Sequence, residues 1–355
     1  MAAKFNKGDV AEGILGAAMT ARFLSKTKKI TPDDVVKVVK QLKKPVQVKK
    51  SLVSTTKFKS PNKNPKIVDD LTCVIGLAAT NMNAFLDISL YTTDKEIKEI
   101  VNAACAYSNG VHVMEWADMF YNNNQYNDIS VRSEGLLDQS GTKVDLKIVA
   151  DGKQCGVGIS LKQGDVKQFG QVGGASFNSM NEFFTPLGVR FSSAHQKKLE
   201  DAISSKDVPG GLRYMYKEAQ KQIAAIMKSN PDKFKKNLSD FMNFHASRDE
   251  PDVALVQLNR SEAAYYDFTN IKKRLAGVKL GIEYVEGSTE VIAGEKIPKL
   301  KIVSESERGD NGLLDLRVKL EGNRIDSKGK KVGLTVRNYV EKGHLTTKLL
   351  AEKFK

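Results

Sequence analysis

The residues with the clearest chemical potential are Asp145 and Lys162, which stand in one short run of the chain, residues 143–171. An aspartate carboxylate holds a hard cation such as Mg²⁺ through oxygen. A lysine beside it stabilises, or helps to deprotonate, a water molecule that attacks a phosphate. An aspartate on one strand and a lysine at the end of the next are therefore what metal-dependent cleavage of phosphodiester bonds needs.

A β-hairpin spanning 143–162 is predicted to position these two residues. The segments VDLKIVA and CGVGISLK are rich in strand-forming residues, and the Asp-Gly pair between them is a strong signal for a two-residue turn. A turn centred on that pair places Asp145 opposite Gly158. Side chains alternate along a strand, so Ser160 and Lys162 share the face of Asp145, and the aliphatic residues take the other face, toward a core.

This stretch resembles the PD-(D/E)xK nuclease superfamily, which includes many restriction enzymes, phage exonucleases and junction resolvases. The resemblance implies that Asp145 is the metal-binding aspartate and Lys162 the catalytic lysine. It also implies that Gln168 or Gln171 is the polar residue that begins the following helix. The sequence departs from the family pattern at Ser160, where the family has its second acid. Some restriction enzymes of this pattern recruit that acid from a neighbouring helix.

Three glutamates are candidates for the missing acid, in the order Glu12, Glu134 and Glu182. Glu12 lies in a predicted helix over residues 5–25, and in nucleases of this type a helix before the sheet often supplies a glutamate to the metal site. Glu12 is either an exposed residue of the first turn, favoured there by the helix dipole, or a functional acid that points inward. Small residues of the same helix would let another element approach closely: Gly13, Gly16, Ala17 and Ala21.

The composition is that of a folded protein with a basic surface. The chain has 355 residues, of which 41% are hydrophobic and 28% charged, and its net charge is +14. A polyanionic partner, DNA, is therefore expected, although lysine-rich surfaces also serve solubility. The segment 43–66 contains eight lysines, three prolines and no acidic residue. It is predicted to be a loop or arm that contacts phosphates, with a flexible surface connection as the alternative.

Several other classes of protein are disfavoured. The three cysteines are far apart and fit neither a disulfide framework nor a zinc site, which indicates a reducing compartment. No apolar run has the length of a membrane span, and the amino terminus lacks a signal-peptide core. We therefore expect a cytoplasmic location, in a bacterial or phage-infected host cell, and no membrane partner. No phosphate-binding P-loop, histidine metal pattern or G-x-S-x-G nucleophile elbow occurs.

The remaining chain is predicted to alternate helical and strand-rich parts. Residues 66–90 are expected to form a mostly apolar helix, and the segment after the hairpin, through Glu182, a further helix. Residues 192–246 are expected to form helices that carry apolar stripes and many lysines. From residue 277 on, short strands broken by Gly, Asp and Ser predict a small sheet or barrel. Its basic residues would suit it to gripping a duplex, unless it mediates self-association instead: Arg317, Lys319, Arg324 and Arg337.

The predicted fold class is α/β (α+β), a restriction-endonuclease-like mixed sheet flanked by helices with a C-terminal β-rich part. Residues 1–275 would form the nuclease-like domain and 276–355 the β-rich domain. The predicted activity is that of a DNA endonuclease with Mg²⁺ or Mn²⁺ as cofactor, bound by Asp145 and one of the glutamates. The alternatives are a non-catalytic nucleic-acid-binding protein with a degenerate site and a structural protein of a phage particle. A homodimer would suit a double-strand cut, but the sequence leaves the oligomeric state open.

Overall fold

The structure is a computed structural model of the 355-residue chain. It describes the whole chain except residues 1–4, 26–28, 60–69, 123–125, 134–143, 165–167, 175, 248–252, 268–272, 274, 288–290, 293–294, 306–311, 321–323, 326–330, 333–342 and 350–355. Among the described helices, none combines the length and the apolar content needed to cross a lipid bilayer.

Helices and strands alternate along the chain. The helices are α1 (Lys7–Leu24), α2 (Pro32–Gln41), α3 (Ala79–Leu86), α4 (Leu90–Thr93), α5 (Lys95–Ser108), α6 (Val111–Asn122), α7 (Phe177–Phe184), α8 (Ser193–Ser204), α9 (Val208–Ser229) and α10 (Pro231–Ser247), with a 3₁₀ turn at Thr185–Leu187. The strands are β1 (Val46–Val48), β2 (Ser51–Lys59), β3 (Asp70–Ala78), β4 (Ile129–Ser133), β5 (Leu146–Ala150), β6 (Lys153–Gln163), β7 (Gln168–Gly173), β8 (Val253–Asn259), β9 (Glu262–Asp267), β10 (Leu280–Val285), β11 (Val291–Ile292), β12 (Glu295–Lys296), β13 (Lys299–Ser304), β14 (Gly312–Leu320), β15 (Arg324–Ile325), β16 (Lys331–Val332) and β17 (Gly343–Leu349).

The chain forms two compact units. The first consists of Met1–Val166 and Ala246–Asp267 with Lys355, and the second of Lys167–His245 and Phe268–Phe354. The chain thus enters the second unit, returns to the first for two strands, and enters the second again. The two units divide the chain differently from the predicted domains 1–275 and 276–355, because residues 167–245 belong to the second unit.

The first unit is built on an open mixed sheet with strand order β1-β2-β3-β4-β5-β6-β8-β9. The pairs β3/β4 and β6/β8 are parallel, and the other pairs are antiparallel. Helix α1 contacts α2, α3 and α5 and packs on β3, β4 and β6. Its residues join aliphatic side chains of β3 to β6 in one buried core. The predicted mixed sheet flanked by helices is therefore confirmed, and so is the hairpin, as β5 and β6.

The second unit contains a five-stranded sheet of order β10-β13-β14-β17-β7 together with α7 to α10. Aromatic side chains fix the helical part: Phe183 meets Phe184 and Phe241 edge to face, with ring centroids 4.9 and 5.5 Å apart. The predicted helices in 192–246 and the predicted C-terminal sheet are both confirmed. Asn230 caps the start of helix α10, because its side chain accepts a hydrogen bond from the backbone N–H of Lys233 at 3.0 Å.

The predicted helix over residues 66–90 is wrong. The segment from Asp70 to Ala78 is strand β3, and only the following eight residues form a helix, α3. Seven of the nine residues of β3 are buried, because the strand lies inside the sheet with both faces covered. A continuous apolar run of this kind has no periodicity that separates a buried strand from a buried helix.

The predicted arm over 43–66 and the predicted helix directly after β6 are also wrong in part. Residues 46–48 and 51–59 form the hairpin β1–β2, since their valines and threonines favour strands despite the surrounding charge. Residues 60–66 lie outside the described residues. Gln168–Gly173 is strand β7, which pairs with β17 far along the chain, and the helix begins only at Phe177.

Candidate active site

The β5–β6 hairpin that carries Asp145 and Lys162 is closed by the predicted turn. Asp151 and Gly152 have φ angles of 47° and 77°, the pair of positive values that a tight hairpin of this twist requires. The Asp151 carboxylate accepts hydrogen bonds from the backbone N–H groups of Asn127 and Asp128, each at 2.9 Å. These bonds fasten the turn to the start of β4.

A bulge in β6 changes the pairing of the hairpin beyond the turn. Cys155 still pairs with Ile148, but Leu146 pairs with Ile159, so β6 has two residues more than β5 between these points. Gly156, in the bulge, has φ = 69° and lies under Trp116, whose Nε1 atom would be 3.0 Å from an added Cβ. No residue larger than glycine fits this position without displacing the indole.

The bulge corrects the predicted partner of Asp145 from Gly158 to Ser160. The backbone N–H of Asp145 donates to the Ile159 carbonyl at 2.8 Å. Because the shift is by two residues, every side chain keeps its face, and Ser160 and Lys162 remain on one side of β6 as expected. Leu146, on the other side, is buried in the core.

The Asp145 carboxylate is held by three groups of β6. Its Oδ2 atom accepts a hydrogen bond from the Leu161 backbone N–H at 2.6 Å and lies 3.9 Å from Lys162 Nζ. The Ser160 hydroxyl is a further polar neighbour that lowers the pKa of this carboxyl group. Burial raises the pKa of Asp145 above its ordinary value, and the Lys162 charge, the Leu161 N–H and the Ser160 hydroxyl oppose that rise. The carboxylate is therefore fixed in place, but its neighbours do not fully compensate its negative charge for the loss of solvent.

Lys162 extends along its own strand toward Asp145. Its Nζ atom donates to Ser160 Oγ at 3.1 Å and to the Leu161 carbonyl at 2.9 Å. Ser160, two residues before Lys162 on β6, therefore holds the end of the lysine side chain. The side chains of Lys162 and Asp145 are 27% and 22% exposed, so that solvent reaches the pair.

Helix α1 approaches the sheet closely enough to bring Glu12 to this pair. A Cβ added to Gly16 would lie 2.7 Å from Ile75 Cδ1 and 3.3 Å from Ser133 Cβ, and one added to Gly13 would lie 3.0 Å from Phe85. The predicted small-residue face is therefore the surface on which α1 packs. Any larger residue at Gly16 would lift the helix away from β3 and β4.

Glu12 is the inward-pointing acid of the two alternatives considered for it. Burial raises its pKa to about 9, with further contributions from the negative charges of Asp145 and Asp9, while Lys162 acts in the opposite direction. The side chain therefore lies within electrostatic reach of both Asp145 and Lys162. At neutral pH it is protonated, since the site has too little positive charge to stabilise another carboxylate.

Asp9 is a member of the site that the sequence analysis missed. It stands one helical turn before Glu12, and burial, then the charge of Asp145, raises its pKa. Asn81 Nδ2 donates to one of its carboxylate oxygens at 2.6 Å, and Asn6 Nδ2 to the other at 2.9 Å. The i, i+3 spacing of two acids in an otherwise apolar helix is the signal that would have found it.

Gln257 on β8 is a second residue that sequence reasoning did not identify. It pairs with Lys162 across the parallel β6/β8 ladder and is only 5% exposed. Its Nε2 atom donates to the Gly164 carbonyl at 2.6 Å, and its Oε1 atom accepts from the Tyr266 hydroxyl at 3.5 Å. Gln257 therefore anchors the chain two residues beyond Lys162.

The other site residues predicted from the sequence lie either in the second unit or outside the described residues. Gln168 and Gln171 lie on β7 in the second unit, in a strand and not at the start of a helix. Glu182 lies on α7, also in the second unit. Glu134 lies outside the described residues. Glu12, the first-ranked candidate, is the glutamate that the structure places with Asp145 and Lys162.

The oxygen atoms of Glu12 and Asp145 are the potential metal donors of this cluster. Within the described part of the chain, no group of three or more His, Cys, Asp or Glu side chains is arranged to hold a metal. Glu12 and Asp145 are nevertheless two carboxyl groups with pKa values raised by burial, so added positive charge would ionise both. Mg²⁺ is commonly held by one or two carboxylates and keeps several of its waters. Two carboxyl groups are a donor set of this chemical kind.

Comparison with known proteins gives no assignment for this arrangement. No protein-family model, no curated protein and no solved structure matches the chain. A functional conclusion therefore rests on the geometry and charge of the cluster around Asp145 and Lys162.

Proposed function

We propose that the chain is a Mg²⁺-dependent DNA endonuclease with a restriction-endonuclease-like core of the PD-(D/E)xK type. The observation that carries the proposal is the position of the Lys162 ammonium, 3.9 Å from Asp145 Oδ2 at the start of the neighbouring strand, within the electrostatic reach of Glu12. A lysine, an aspartate and a second acid from a preceding helix are the groups that this chemistry requires.

The order of elements supports the same proposal. Helix α1 precedes the antiparallel strands β4, β5 and β6, and β8 then joins β6 in parallel. The acid on the helix and the aspartate and lysine on the hairpin are thereby brought to one place in the sheet. The family resemblance implies helix, strand meander and helix in this order; the first two parts agree with it, whereas strand β7 stands where the second helix was expected.

Glu12 and Asp145 would hold the metal ion, which is Mg²⁺ or Mn²⁺ because both ligands are hard carboxylate oxygens. Bound there, the ion supplies Lewis-acid stabilisation of the negative charge on the reacting phosphate. The Leu161 N–H and the Ser160 hydroxyl keep Asp145 oriented, so little side-chain reorganisation accompanies binding.

In the proposed reaction a water oxygen bonds to phosphorus while the ester bond to the leaving sugar oxygen breaks. Lys162 uses two of its three N–H donors on Ser160 and Leu161, in the part of the chain that the structure describes. The third can donate to the attacked phosphate or to the incoming water. The neighbouring Asp145 carboxylate keeps the lysine side chain in this position.

DNA is the proposed substrate because the chain carries a net charge of +14. Exposed lysines on β2 lie in the same unit as the cluster. The side chains of Arg317 and Lys319 in the C-terminal sheet lie outside the described residues, so their contribution stays a prediction. A homodimer, which would suit a double-strand cut, is likewise a proposal.

A second candidate function is a non-catalytic DNA-binding protein with a degenerate nuclease site. The observation that favours it is Ser160, which is 3% exposed and accepts a hydrogen bond from Lys162 where an acid would stand. In that case Asp145 and Lys162 stabilise the hairpin and perform no chemistry.

Cleavage of supercoiled plasmid with Mg²⁺ or Mn²⁺ separates the two candidates. The variants Asp145→Asn and Lys162→Met should abolish cleavage while the fold and DNA binding remain. Asp128→Asn and Lys153→Met are matched controls, because Asp128, directly before β4, and Lys153, on β6, are exposed at the turn end of the hairpin. Binding without cleavage by the natural chain would select the degenerate protein, and neither binding nor cleavage would select a structural role.

A further inference from the structure

The β1–β2 hairpin and the residues beside it form a strongly basic surface outside the candidate active site. Between Lys43 and Lys59 the chain has six lysines and no acidic residue. All of these lysines are exposed, and β1 is exposed along its whole length as an edge strand. Asp70 of β3 reaches only Lys59, at 3.8 Å. The excess positive charge of this surface is therefore not balanced by the neighbouring strand.

The tip of the hairpin holds a lysine in an unfavourable backbone conformation. Val48 pairs with Ser51, so Lys49 and Lys50 form a two-residue turn, and Lys49 has φ = 52°. Glycine or asparagine adopts this left-handed region readily, whereas a side chain such as lysine costs conformational energy there. The tip thus has charge where the fold alone would favour glycine.

The base of the hairpin is fixed so that a second group of lysines stays together. The backbone N–H of Lys43 donates to Thr56 Oγ1 at 2.8 Å, and Ser54 Oγ donates to the Lys43 carbonyl at 2.7 Å. These bonds hold Lys43 and Lys44 beside Lys57. At about 3.3 Å per residue, the seven residues from Lys50 to Lys57 place the tip lysines about 23 Å from the base lysines.

We propose that the β1–β2 hairpin is a lysine ribbon that binds duplex DNA through its phosphates. Because β2 pairs with β3 along its whole length, this ribbon is the edge of the larger sheet and would lie along a row of phosphates. The partner is an extended polyanion, since positive charge at two points about 23 Å apart along one ribbon matches a row of phosphates better than a single anionic group. This inference deepens the proposed function by naming its DNA-binding surface.

The same lysines have a purely structural explanation, which the test must separate from DNA binding. Charged residues on an edge strand prevent it from pairing with the edge of another sheet. Val46 and Val48 of β1 are 63% and 39% exposed, so removal of the charge would favour pairing with a second copy. That explanation predicts self-association of a charge-depleted variant with unchanged affinity for DNA.

The test compares two variants that each lose two positive charges. Lys49→Gly with Lys50→Asn removes the tip charge and installs a favourable turn sequence. Lys206→Gly with Arg260→Gly is the matched control, because both of these residues also have positive φ, 65° and 53°, but lie elsewhere. Binding to a fluorescent duplex of about 20 base pairs is measured by anisotropy from about 50 to 200 mM salt with EDTA present.

We expect the tip variant to bind at least tenfold more weakly at low salt, with unchanged or higher thermal stability. The slope of log affinity against log salt should fall by about 2, close to 0.9 for each lost phosphate contact. The control variant should bind like the natural chain. Equal weakening in both variants, unchanged binding by the tip variant, or no binding by the natural chain would each overturn the inference.

The outcome is independent of the active site because the assay contains no metal and requires no cleavage. If Asp145→Asn abolishes cleavage while the tip variant binds normally, the nuclease proposal holds and the ribbon proposal fails. If the tip variant alone loses binding while the natural chain cleaves nothing, the ribbon proposal holds and the nuclease proposal fails.

Discussion

The charge of Asp145, at the start of one strand of the sheet, raises the pKa of Glu12, on the first helix of the chain. The two residues are far apart in sequence and share one partly buried site with Lys162. This relationship gives the candidate site a pH dependence that can be measured.

Glu12 should make the metal-free protein less stable as the pH rises. Its pKa is near 4.5 in an unfolded chain and about 9 in the fold, so the folded state binds more protons between these values. The free energy of unfolding therefore falls as the pH rises from about 5 to 9. Glu12→Gln should flatten this decline in urea titrations with EDTA, whereas Glu115→Gln, on the exposed side of α6, should not. An equal slope in the natural chain and Glu12→Gln would contradict the assignment.

Magnesium should bind more tightly as Glu12 loses its proton. Metal binding requires the carboxylate form, so affinity for Mg²⁺ should rise from pH 6 toward pH 9 and protons should be released on binding. Isothermal titration calorimetry in buffers of different ionisation enthalpy measures both quantities. Glu12→Gln should remove the pH dependence, and an affinity independent of pH in the natural chain would argue against Glu12 as a ligand.

Ser160→Asp should convert the site toward stronger metal dependence. The new carboxylate would be buried beside Asp145, where an added charge costs about 3–5 kcal/mol unless it is paired. Without metal the variant should be less stable, and Mg²⁺ should raise its melting temperature more than that of the natural chain. Ser130→Asp, at a buried serine on β4, is the control: it should lose stability but gain no response to Mg²⁺.

Gln257→Leu should weaken the end of β6 and thereby disturb Lys162. The substitution leaves the buried side of the Gly164 carbonyl and the Tyr266 hydroxyl without their partner, at a cost of about 1–3 kcal/mol. If the chain cleaves DNA, kcat should fall more than the affinity for DNA changes. A loss of stability with unchanged kcat would restrict Gln257 to a structural role.

Gly16→Ala should destabilise the first unit although alanine favours helices. The added Cβ would lie 2.7 Å from Ile75 Cδ1, and such overpacking costs about 1–3 kcal/mol, more than the gain in helix propensity of about 1 kcal/mol. Ile75→Val removes the obstructing methyl group. In a double-mutant cycle measured by urea denaturation, the second substitution should recover part of the loss; strict additivity would show that Ser133 is the obstacle instead.

The parts of the fold that follow from local signals could be predicted from the sequence. The Asp151-Gly152 turn, the helix start at Pro231 and the small-residue face of α1 each depend on neighbouring residues alone. The two-residue shift at Gly156 could not be predicted in this way, because the bulge is stabilised by Trp116 from a distant helix.

The same distinction explains the errors in the predicted elements. β3 is an apolar run whose identity as a strand depends on partners on both sides, and β7 depends on β17, almost at the end of the chain. Helix α5 is capped by Asp94, whose carboxylate accepts hydrogen bonds from the Glu96 and Ile97 N–H groups. The hydrogen bond from Asn81 to Asp9 joins residues far apart in sequence, so no local pattern indicates it.

The candidate site could be predicted in its main members and not in its environment. Asp145 and Lys162 were identifiable because a hairpin brings nearby residues together with a fixed parity. To place Glu12 in the site, the packing of α1 on the sheet had to be predicted, and the glycines of α1 indicated that packing. Gln257 is positioned by the parallel pairing of β6 with β8, two strands that are far apart in sequence. The spacing of residues in the sequence therefore does not indicate that Gln257 lies next to Lys162.

The long segment between β6 and β8 sets the order in which the protein can assemble. β6 and β8 are neighbours, yet residues 164–252, including most of the helices of the second unit, separate them along the chain. Closing a loop of this length costs about 2 kcal/mol more entropy than a minimal crossover of a dozen residues. We expect the β2–β3 hairpin to gain amide protection early in refolding and the β6–β8 ladder to gain it last. Lys162, bound to that ladder, would then be fixed in place at the end of folding.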